Sequence, residues 1–218
     1  MRIARALVGV AVLGIAAPIL GCGSSGYQYV QNDKYGVYAK VPGDWAIYDD
    51  KDVFPDWSAR EREARTSQLW FRTFDGADDP SADHSATAGG PDPTGNVRII
   101  VLDASTRDQI SNSGLRGLAF SGDPTQDPMA IAAQDSSIGM MVDEPVSFDG
   151  GFHGVHTVFS VAGDDGETTV WDQTALLDKT SSVAFLFQVT CNADCYFETH
   201  KDEIANVVDS WTIQEVRK

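Results

Sequence analysis

The first 22 residues form one patterned unit that decides which part of the chain can fold. Two arginines, Arg2 and Arg5, precede an almost unbroken apolar run from Ala6 to Leu20. This order of a short basic segment and an apolar run is typical of a secretory signal peptide. The run has about 15 residues, which at about 1.5 Å per residue is too short to cross a hydrocarbon core of about 30 Å. We therefore expect residues 1–21 to be removed on export and to take no part in the fold.

The apolar run ends in the tetrapeptide Ile19-Leu20-Gly21-Cys22, which resembles the lipobox of bacterial lipoprotein signals. In that family an apolar residue three positions before the cysteine and a small residue directly before it fit the signal peptidase. Leu20 departs from the pattern, because a smaller residue is commoner there. The resemblance implies that the Cys22 thiol is diacylated and becomes the lipidated N-terminus, and two acyl chains give stable anchoring. An ordinary export signal with a chance cysteine is the alternative.

The three cysteines of the chain fit this interpretation. An odd number in an exported protein leaves one thiol to be explained, and lipidation of Cys22 explains it. Cys191 and Cys195 remain as a pair, and we predict a disulfide between them because such pairs are normally oxidised outside the cytoplasm. Zinc binding by this pair with His200 is the alternative, but a structural zinc site needs four ligands at recognisable spacing, which the other histidines do not supply.

The charge of the chain excludes one class of partner. The formal net charge is −16, and nucleic-acid binding depends on Lys and Arg that displace counterions from phosphates. We therefore predict no nucleic-acid partner. Direct adhesion to anionic lipid headgroups is also disfavoured, whereas cations and basic partners stay open. An acidic surface also simply keeps exported proteins soluble and apart.

One basic cluster stands out in this acidic chain. It consists of Arg60, Arg62 and Arg65, with Arg72 a little further on. We take the first three as candidate ligand-binding residues for an anionic ligand. Internal salt bridging is the simpler account, since Glu61 and Arg65 are four residues apart on a predicted helix.

Motifs of known chemistry are missing from the sequence. It contains no Gly-x-Ser-x-Gly after the signal, no Ser-x-x-Lys and no His-Glu-x-x-His. The acidic loop 75–95 does not match the EF-hand spacing, although carboxylates suit calcium and the loop is left open as a calcium site. His153 and His156 are three residues apart, so on a strand they face opposite sides. We predict no catalytic residues, no metal, no cofactor and no enzyme activity; an exported metal-dependent hydrolase that uses the acidic loop or the histidines is the alternative.

Hydrophobic patterns predict strands and helices in an order typical of an α+β domain with a mostly antiparallel sheet and helices packed on it. A hairpin is expected around Pro42-Gly43-Asp44, a long exposed loop at 75–95, and an amphipathic last helix from about Tyr196 to Ser210. The other expected strands are Leu69–Phe74, Asn96–Leu102, Val146–Ala162 broken near Gly150, Glu167–Leu177 and Ser182–Thr190, with a last one at 212–216. The other expected helices are Asp56–Ser67 with Asp56 as N-cap, Ser105–Phe120, and a short one that starts at Asp127-Pro128.

Two segments carry a resemblance to a known fold family. They are YGVYAKVPGDWAIY near the start and EIANVVDSWTI near the end, and they resemble the PsbP/Mog1-like α/β/α sandwich. The resemblance spans about Tyr35 to Val216. The small polar residues after Cys22 predict a lipidated N-terminus and tether at residues 22–33, and we expect a single globular domain at 34–218. Exported lipoproteins of this fold look like non-enzymatic accessory or binding proteins. We therefore expect a module anchored by lipid on the extracytoplasmic face of the cell membrane, with an envelope protein, lipid or glycan as partner.

Overall fold

The computed structural model describes residues 26–214, which form two antiparallel sheets and six α-helices. The small sheet has the order β1-β2-β10 and the large sheet the order β3-β4-β5-β9-β8-β7-β6. The strands are β1 (Tyr27–Asn32), β2 (Val37–Pro42), β3 (Ala46–Asp49), β4 (Leu69–Asp75), β5 (Thr94–Val101), β6 (Ile138–Phe148), β7 (Phe152–Ala162), β8 (Thr168–Leu177), β9 (Val183–Asn192) and β10 (Thr212–Ile213). The helices are α1 (Asp50–Val53), α2 (Ala59–Thr66), α3 (Ala104–Arg107), α4 (Asn112–Ser121), α5 (Pro128–Ala132) and α6 (Lys201–Ser210), with a 3-10 turn at Ala82–Ala86 and a π-helical turn at Cys195–Thr199.

The large sheet is covered on both faces. On β9, Phe185 and Phe187 point into a main core that also contains the small sheet and α6. Leu186, the residue between them, points into a second core under α4. Successive side chains of a strand face opposite sides of the sheet, so a strand buried on both faces is apolar along most of its length. The α+β class with an antiparallel sheet and packed helices is therefore confirmed.

The last helix packs as its sequence predicts. Ile204 and Val207 of α6 are buried in the main core, and Val208 packs against its edge. Directly after the helix, the Trp211 ring stacks on Phe187 with 5.1 Å between centroids. The apolar stripe of α6 therefore fixes the helix on the main-core face of the large sheet, and α4 covers the opposite face.

The predicted hairpin around Pro42-Gly43-Asp44 is wrong. β2 and β3 flank this turn but lie in different sheets: β2 pairs with β1 and β10, and β3 pairs with β4. Val37, Ala39 and Val41 are fully buried in the main core. The pairing of β2 therefore follows from burial of its apolar face in the main core and not from the adjacent turn.

The predicted boundary between tether and domain at residue 34 is also wrong. Tyr27–Asn32 of the predicted tether forms β1, which pairs along its whole length with β2. Its sequence YQYVQN is polar, and only Val30 is buried in the core. An edge strand of this kind is stabilised by its backbone hydrogen bonds, so its side chains give little signal.

Several element boundaries differ from the predicted ones because capping residues decide them. Helix α2 begins after Ser58, whose side chain forms a capping box with Glu61, and not after Asp56. The predicted helix 105–120 is two helices, α3 with Asp103 as N-cap and α4 with Ser111 as N-cap. The predicted start of α5 at Asp127 and Pro128 is confirmed. β6 begins at Ile138, well before the predicted strand start at Val146.

Within residues 26–214, no helix combines the length and apolarity needed to span a bilayer.

Candidate functional site

An open cavity of about 270 Å³ lies on the face of the large sheet that carries α4. Strands β4, β5, β8 and β9 form its floor, the C-terminal end of α4 forms one wall, and the end of the 3-10 turn with the two residues after it forms another. The chain contains 32 acidic residues, but none of those within residues 26–214 lines this cavity. The lining residues are Phe71, Thr73, Ser85, Ala86, Thr87, Ala88, Thr94, Gly95, Asn96, Arg98, Phe120, Ser121, Trp171, Gln188 and Thr190. We call this the Arg98 cavity.

Among the residues that the structure describes, Arg98 is the one cation of the lining. Its Nη2 donates to the carbonyl of Ala119 near the end of α4, and its Nε is buried without a hydrogen-bond partner. Within residues 26–214, no carboxylate lies within ion-pair distance of it. Burial lowers the pKa of Arg98 to about 10, which still leaves the guanidinium charged at neutral pH. The floor of the cavity therefore holds a desolvated positive charge without a negative partner.

A row of amide side chains runs across the floor beside Arg98. Gln188 Nε2 donates to the Ala119 carbonyl and to Gln173 Oε1, both at 3.2 Å. Because that nitrogen donates, Gln188 Oε1 must accept, and it accepts from Asn96 Nδ2 at 3.0 Å. Asn96 Oδ1 is then left buried without a donor. The network fixes the orientations of the amide groups. Two of its atoms have no partner: Asn96 Oδ1 lacks a donor and Arg98 Nε lacks an acceptor.

Aromatic rings form the apolar part of the lining. The rings of Phe120 and Trp171 meet edge to face with 5.5 Å between centroids, and Phe159, the cross-strand neighbour of Trp171 on β7, stacks on it at 6.3 Å. Phe71 lines another part of the cavity and packs against Phe54. These contacts hold the rings in place, so the cavity presents rigid apolar surface close to its charged and polar groups.

The hydroxyl groups of the lining are already used as donors. Each of the following hydroxyls donates to a backbone carbonyl: Thr73, Ser85, Thr87, Thr94, Ser121 and Thr190. A hydroxyl that donates its one hydrogen keeps lone pairs that can accept. The walls of the cavity therefore offer mostly acceptors, and its positive charge comes from Arg98.

The predicted ligand-binding arginines of α2 are not gathered around a cavity. Arg62 is paired with Asp50 at 2.8 Å and also donates to the carbonyl of Phe54. Arg65 lies over the ring of Trp57 at 4.6 Å, and Arg60 is exposed. The alternative of internal salt bridging describes Arg62, and a ligand site at these residues stays a prediction.

The acidic loop 75–95 is more ordered than the sequence predicted. Asp75, at its start, is 2% exposed and accepts from the backbone nitrogens of Ala77 and Ser81 and from His84 Nδ1, the last at 2.7 Å. Its carboxylate thus folds the loop back on the strand it leaves. The expectation of a long exposed loop is wrong for this first half.

His153 and His156 take different places on β7, as residues three apart on a strand must. His153 is exposed, whereas His156 Nε2 contacts Asp172 Oδ1 at 2.9 Å and Tyr196 donates its hydroxyl to Asp172 Oδ2 at 2.7 Å. The hydrogen bond to Asp172 raises the pKa of His156 despite its burial. In residues 26–214, no group of three His, Cys, Asp or Glu has a geometry that could hold a metal ion.

The cysteine predictions fall on two parts of the chain. Cys22, the predicted lipidation site, lies outside the described residues. Cys191 and Cys195 are joined by a disulfide with 6.0 Å between Cα atoms, which ties the end of β9 to the π-helical turn before α6. His200, the possible third zinc ligand, is instead paired with Glu203 at 2.7 Å.

Sequence reasoning missed the residues of the Arg98 cavity. The usable signal was the polar residues inside strands that otherwise look fully buried: Asn96 and Arg98 in NVRIIV, and Gln188 in FLFQVT. A strand buried on both faces is a near-continuous apolar run, so polar residues on one face of it mark a wet or functional surface.

No protein-family model matches the chain. No curated protein shows a significant match to the chain. Similar solved structures include cyanobacterial PsbP (CyanoP) from Synechocystis sp. PCC 6803, at 15% identity over 92% of this chain and 100% of that one, with a TM-score of 0.49. They also include LpqN of Mycobacterium tuberculosis, described as involved in cell envelope biogenesis, at 14% identity over 87% of this chain and 91% of that one, with a TM-score of 0.44. A third is the Ran-binding protein Mog1p of Saccharomyces cerevisiae, at 6% identity over 87% of this chain and 96% of that one, with a TM-score of 0.43. These structures carry the PsbP and Mog1 names that the sequence resemblance predicted, and the likeness concerns the fold alone.

Proposed function

We propose that this protein is a lipid-anchored, extracytoplasmic and non-enzymatic binding module, and that the Arg98 cavity is its ligand site. One observation carries the proposal: a largely buried guanidinium lines an open cavity, and no carboxylate among residues 26–214 pairs with it or lines that cavity. A charge of this kind costs folding free energy unless something pairs with it. A bound ligand supplies the missing partner.

The proposed anchoring is supported by the sequence before β1. The lipobox-like segment ends at Cys22, and only Gly23 to Gly26 separate that cysteine from Tyr27. Five residue steps span at most about 18 Å, so acylation of Cys22 holds the domain close to the bilayer surface. The disulfide between Cys191 and Cys195 also suits an oxidising compartment.

The proposed lack of enzyme activity is supported by how the histidine–carboxylate pairs are used. The carboxylate of Asp172 receives both His156 and the hydroxyl of Tyr196, and Asp75 receives His84 and two backbone nitrogens. Neither histidine lines the Arg98 cavity. A general base must lie within hydrogen-bond reach of the proton that it takes, so these pairs serve the fold.

The anchor is tested by comparing the wild-type chain with Cys22→Ser in cells grown with an alkyne-labelled palmitate. We expect label in the wild-type protein, recovery of that protein in the membrane fraction, and neither result for Cys22→Ser. The double variant Cys191→Ala/Cys195→Ala is the matched control, and it should keep both label and membrane fractionation. An unlabelled wild-type precursor in the cytosol that still carries residues 1–21 would contradict the proposal.

A further inference from the structure

We infer that the Arg98 cavity binds a small acidic sugar, that is, a sugar ring that carries a carboxylate or phosphate group. The inference rests on the proposed function for its site and adds the chemical class of the ligand. Charge, hydrogen-bonding capacity and the shape of the lining lead to it separately.

The charge of the cavity selects an anion. In a chain with a net charge of −16, most of the surface repels negative ligands. In the part of the chain that the structure describes, the lining of this cavity has no acidic residue and one arginine. Nη1 of Arg98 has no hydrogen-bond partner within residues 26–214, and hydrogen bonds from a guanidinium to carboxylate or phosphate oxygens are among the strong ones. An anionic group beside Arg98 would pair a charge that the protein leaves unpaired.

The hydrogen-bonding groups of the lining select a ligand that also donates. The threonine and serine hydroxyls named above donate to carbonyls and keep only their lone pairs for a ligand. Inorganic phosphate or a simple carboxylate offers few donors, whereas each sugar hydroxyl offers one. A ligand with several hydroxyls and one anionic group matches both the acceptors of the lining and the positive charge of Arg98.

The apolar surface and the size fit one sugar ring. Trp171 and Phe120 give the cavity rigid ring surface, and the C–H face of a sugar packs on such a surface through dispersion and burial of apolar area. A volume of about 270 Å³ lies just below the range for drug-sized ligand sites, about 300–1,000 Å³. The cavity therefore suits a monosaccharide derivative and is too small for a long lipid chain.

A purely structural role does not account for Arg98. Its bond to the Ala119 carbonyl places a positive group at the C-terminal end of α4, which is favourable for the helix. That bond occupies Nη2 only, and it leaves Nε buried and unpaired. An uncharged donor could satisfy the same carbonyl without the cost of burying a cation.

The experiment is calorimetric titration of the protein, purified in detergent from the fraction in which it accumulates, with glucuronate, glucose 6-phosphate, glucose and inorganic phosphate. We expect at least one of the two acidic sugars to bind at least tenfold more tightly than glucose and than inorganic phosphate. Arg98→Met should weaken that binding at least tenfold, and Arg107→Met, which removes an exposed arginine of α3, should leave it unchanged. Ala88→Trp places a bulky ring at the exposed rim of the cavity and should block binding without disturbing the buried network.

Each outcome decides the inference. Failure of both acidic sugars to bind, equal binding of inorganic phosphate, or unchanged binding in Arg98→Met would overturn it. If Arg98→Met does not fold, Ala88→Trp decides alone, and unchanged binding in that variant overturns the site. Preference between glucuronate and glucose 6-phosphate identifies the anionic group. If the protein is acylated but binds no acidic sugar, the proposed anchor is supported and the inference about the ligand is wrong. If an unacylated chain binds the sugar, the ligand inference is supported and the proposed anchor is wrong.

Discussion

Asn96 and Arg98 lie on the same face of β5, two positions apart, and each has a buried polar atom without a hydrogen-bond partner. The described residues contain four such side-chain atoms, the others being Thr157 Oγ1 and Trp211 Nε1. Two of the four therefore line one cavity. Buried polar atoms are normally paired in folded proteins. The two unpaired atoms at the floor of the Arg98 cavity therefore indicate that this part of the sheet serves a requirement other than stability.

Replacement of Arg98 by methionine should raise stability. Methionine fills a similar volume and removes the desolvated charge, at the cost of one hydrogen bond to the Ala119 carbonyl. Replacing a buried charge with an apolar residue is often neutral or stabilising, and we expect the free energy of unfolding in urea to rise by about 1 kcal/mol. A fall of about 2 kcal/mol would instead show that Arg98 mainly holds α4 on the sheet.

Replacement of Tyr196 by phenylalanine should destabilise the protein. Asp172 is 4% exposed, and the Tyr196 hydroxyl donates to it at 2.7 Å. Loss of a hydrogen bond to a buried carboxylate should lower the free energy of unfolding by about 2 kcal/mol. Tyr38→Phe is the matched control, because its bond to Asp33 is exposed and its loss should have a much smaller effect on the free energy of unfolding. Equal effects of the two variants would contradict a buried role for Asp172.

The contribution of His156 to the stability of the protein should be lost as pH rises above about 6.5. The hydrogen bond to Asp172 raises the pKa of His156 in the folded state above the ordinary value of 6.5. Its protonated form is thus favoured by folding, and that stabilisation is complete below about pH 6.5 and is lost as pH rises through the raised pKa. Urea unfolding from about pH 5.5 to about pH 8.5 measures it. His156→Gln should remove the pH dependence that this histidine contributes. If the free energies of unfolding of the wild type and of His156→Gln change with pH in the same way, the role assigned to His156 is contradicted.

Reduction of the disulfide should destabilise the domain moderately. Cys191 and Cys195 are four positions apart, and closing so short a loop restricts the unfolded chain by about 2 kcal/mol. Urea unfolding with and without dithiothreitol measures the loss. Cys191→Ala/Cys195→Ala should show the same loss and no further effect of the reductant. An effect of dithiothreitol that persists in this double variant would contradict the assignment to this pair.

Elements defined by local patterns could be predicted from the sequence. The stripe of Ile204, Val207 and Trp211 predicted α6, and the turn at Asp178 separated β8 from β9. β1 could not be predicted, because its stabilisation comes from backbone pairing with β2 and from the single buried side chain of Val30. The pairing of β2 was predicted wrongly for the same reason: the choice of a partner strand depends on residues far away in sequence, and a local turn does not decide it.

The candidate site also could not be predicted from local sequence patterns. Asn96 and Gln188 are 92 positions apart, and they touch only because β5 and β9 are neighbours in the sheet. A cluster along the sequence, such as the arginines of α2, is easy to notice, whereas a single Arg98 in a strand is not. Local charge density therefore pointed to Arg60, Arg62 and Arg65, and the cation without a partner was found only through the strand order.

The most direct test is the crystal structure of the protein grown with the acidic sugar that binds best in the titration. The account predicts density for one sugar in the Arg98 cavity, with its anionic group within hydrogen-bond distance of Arg98 Nη1 and its ring against Trp171 or Phe120. An empty cavity at a saturating sugar concentration, or the sugar bound instead at the arginines of α2, would contradict it.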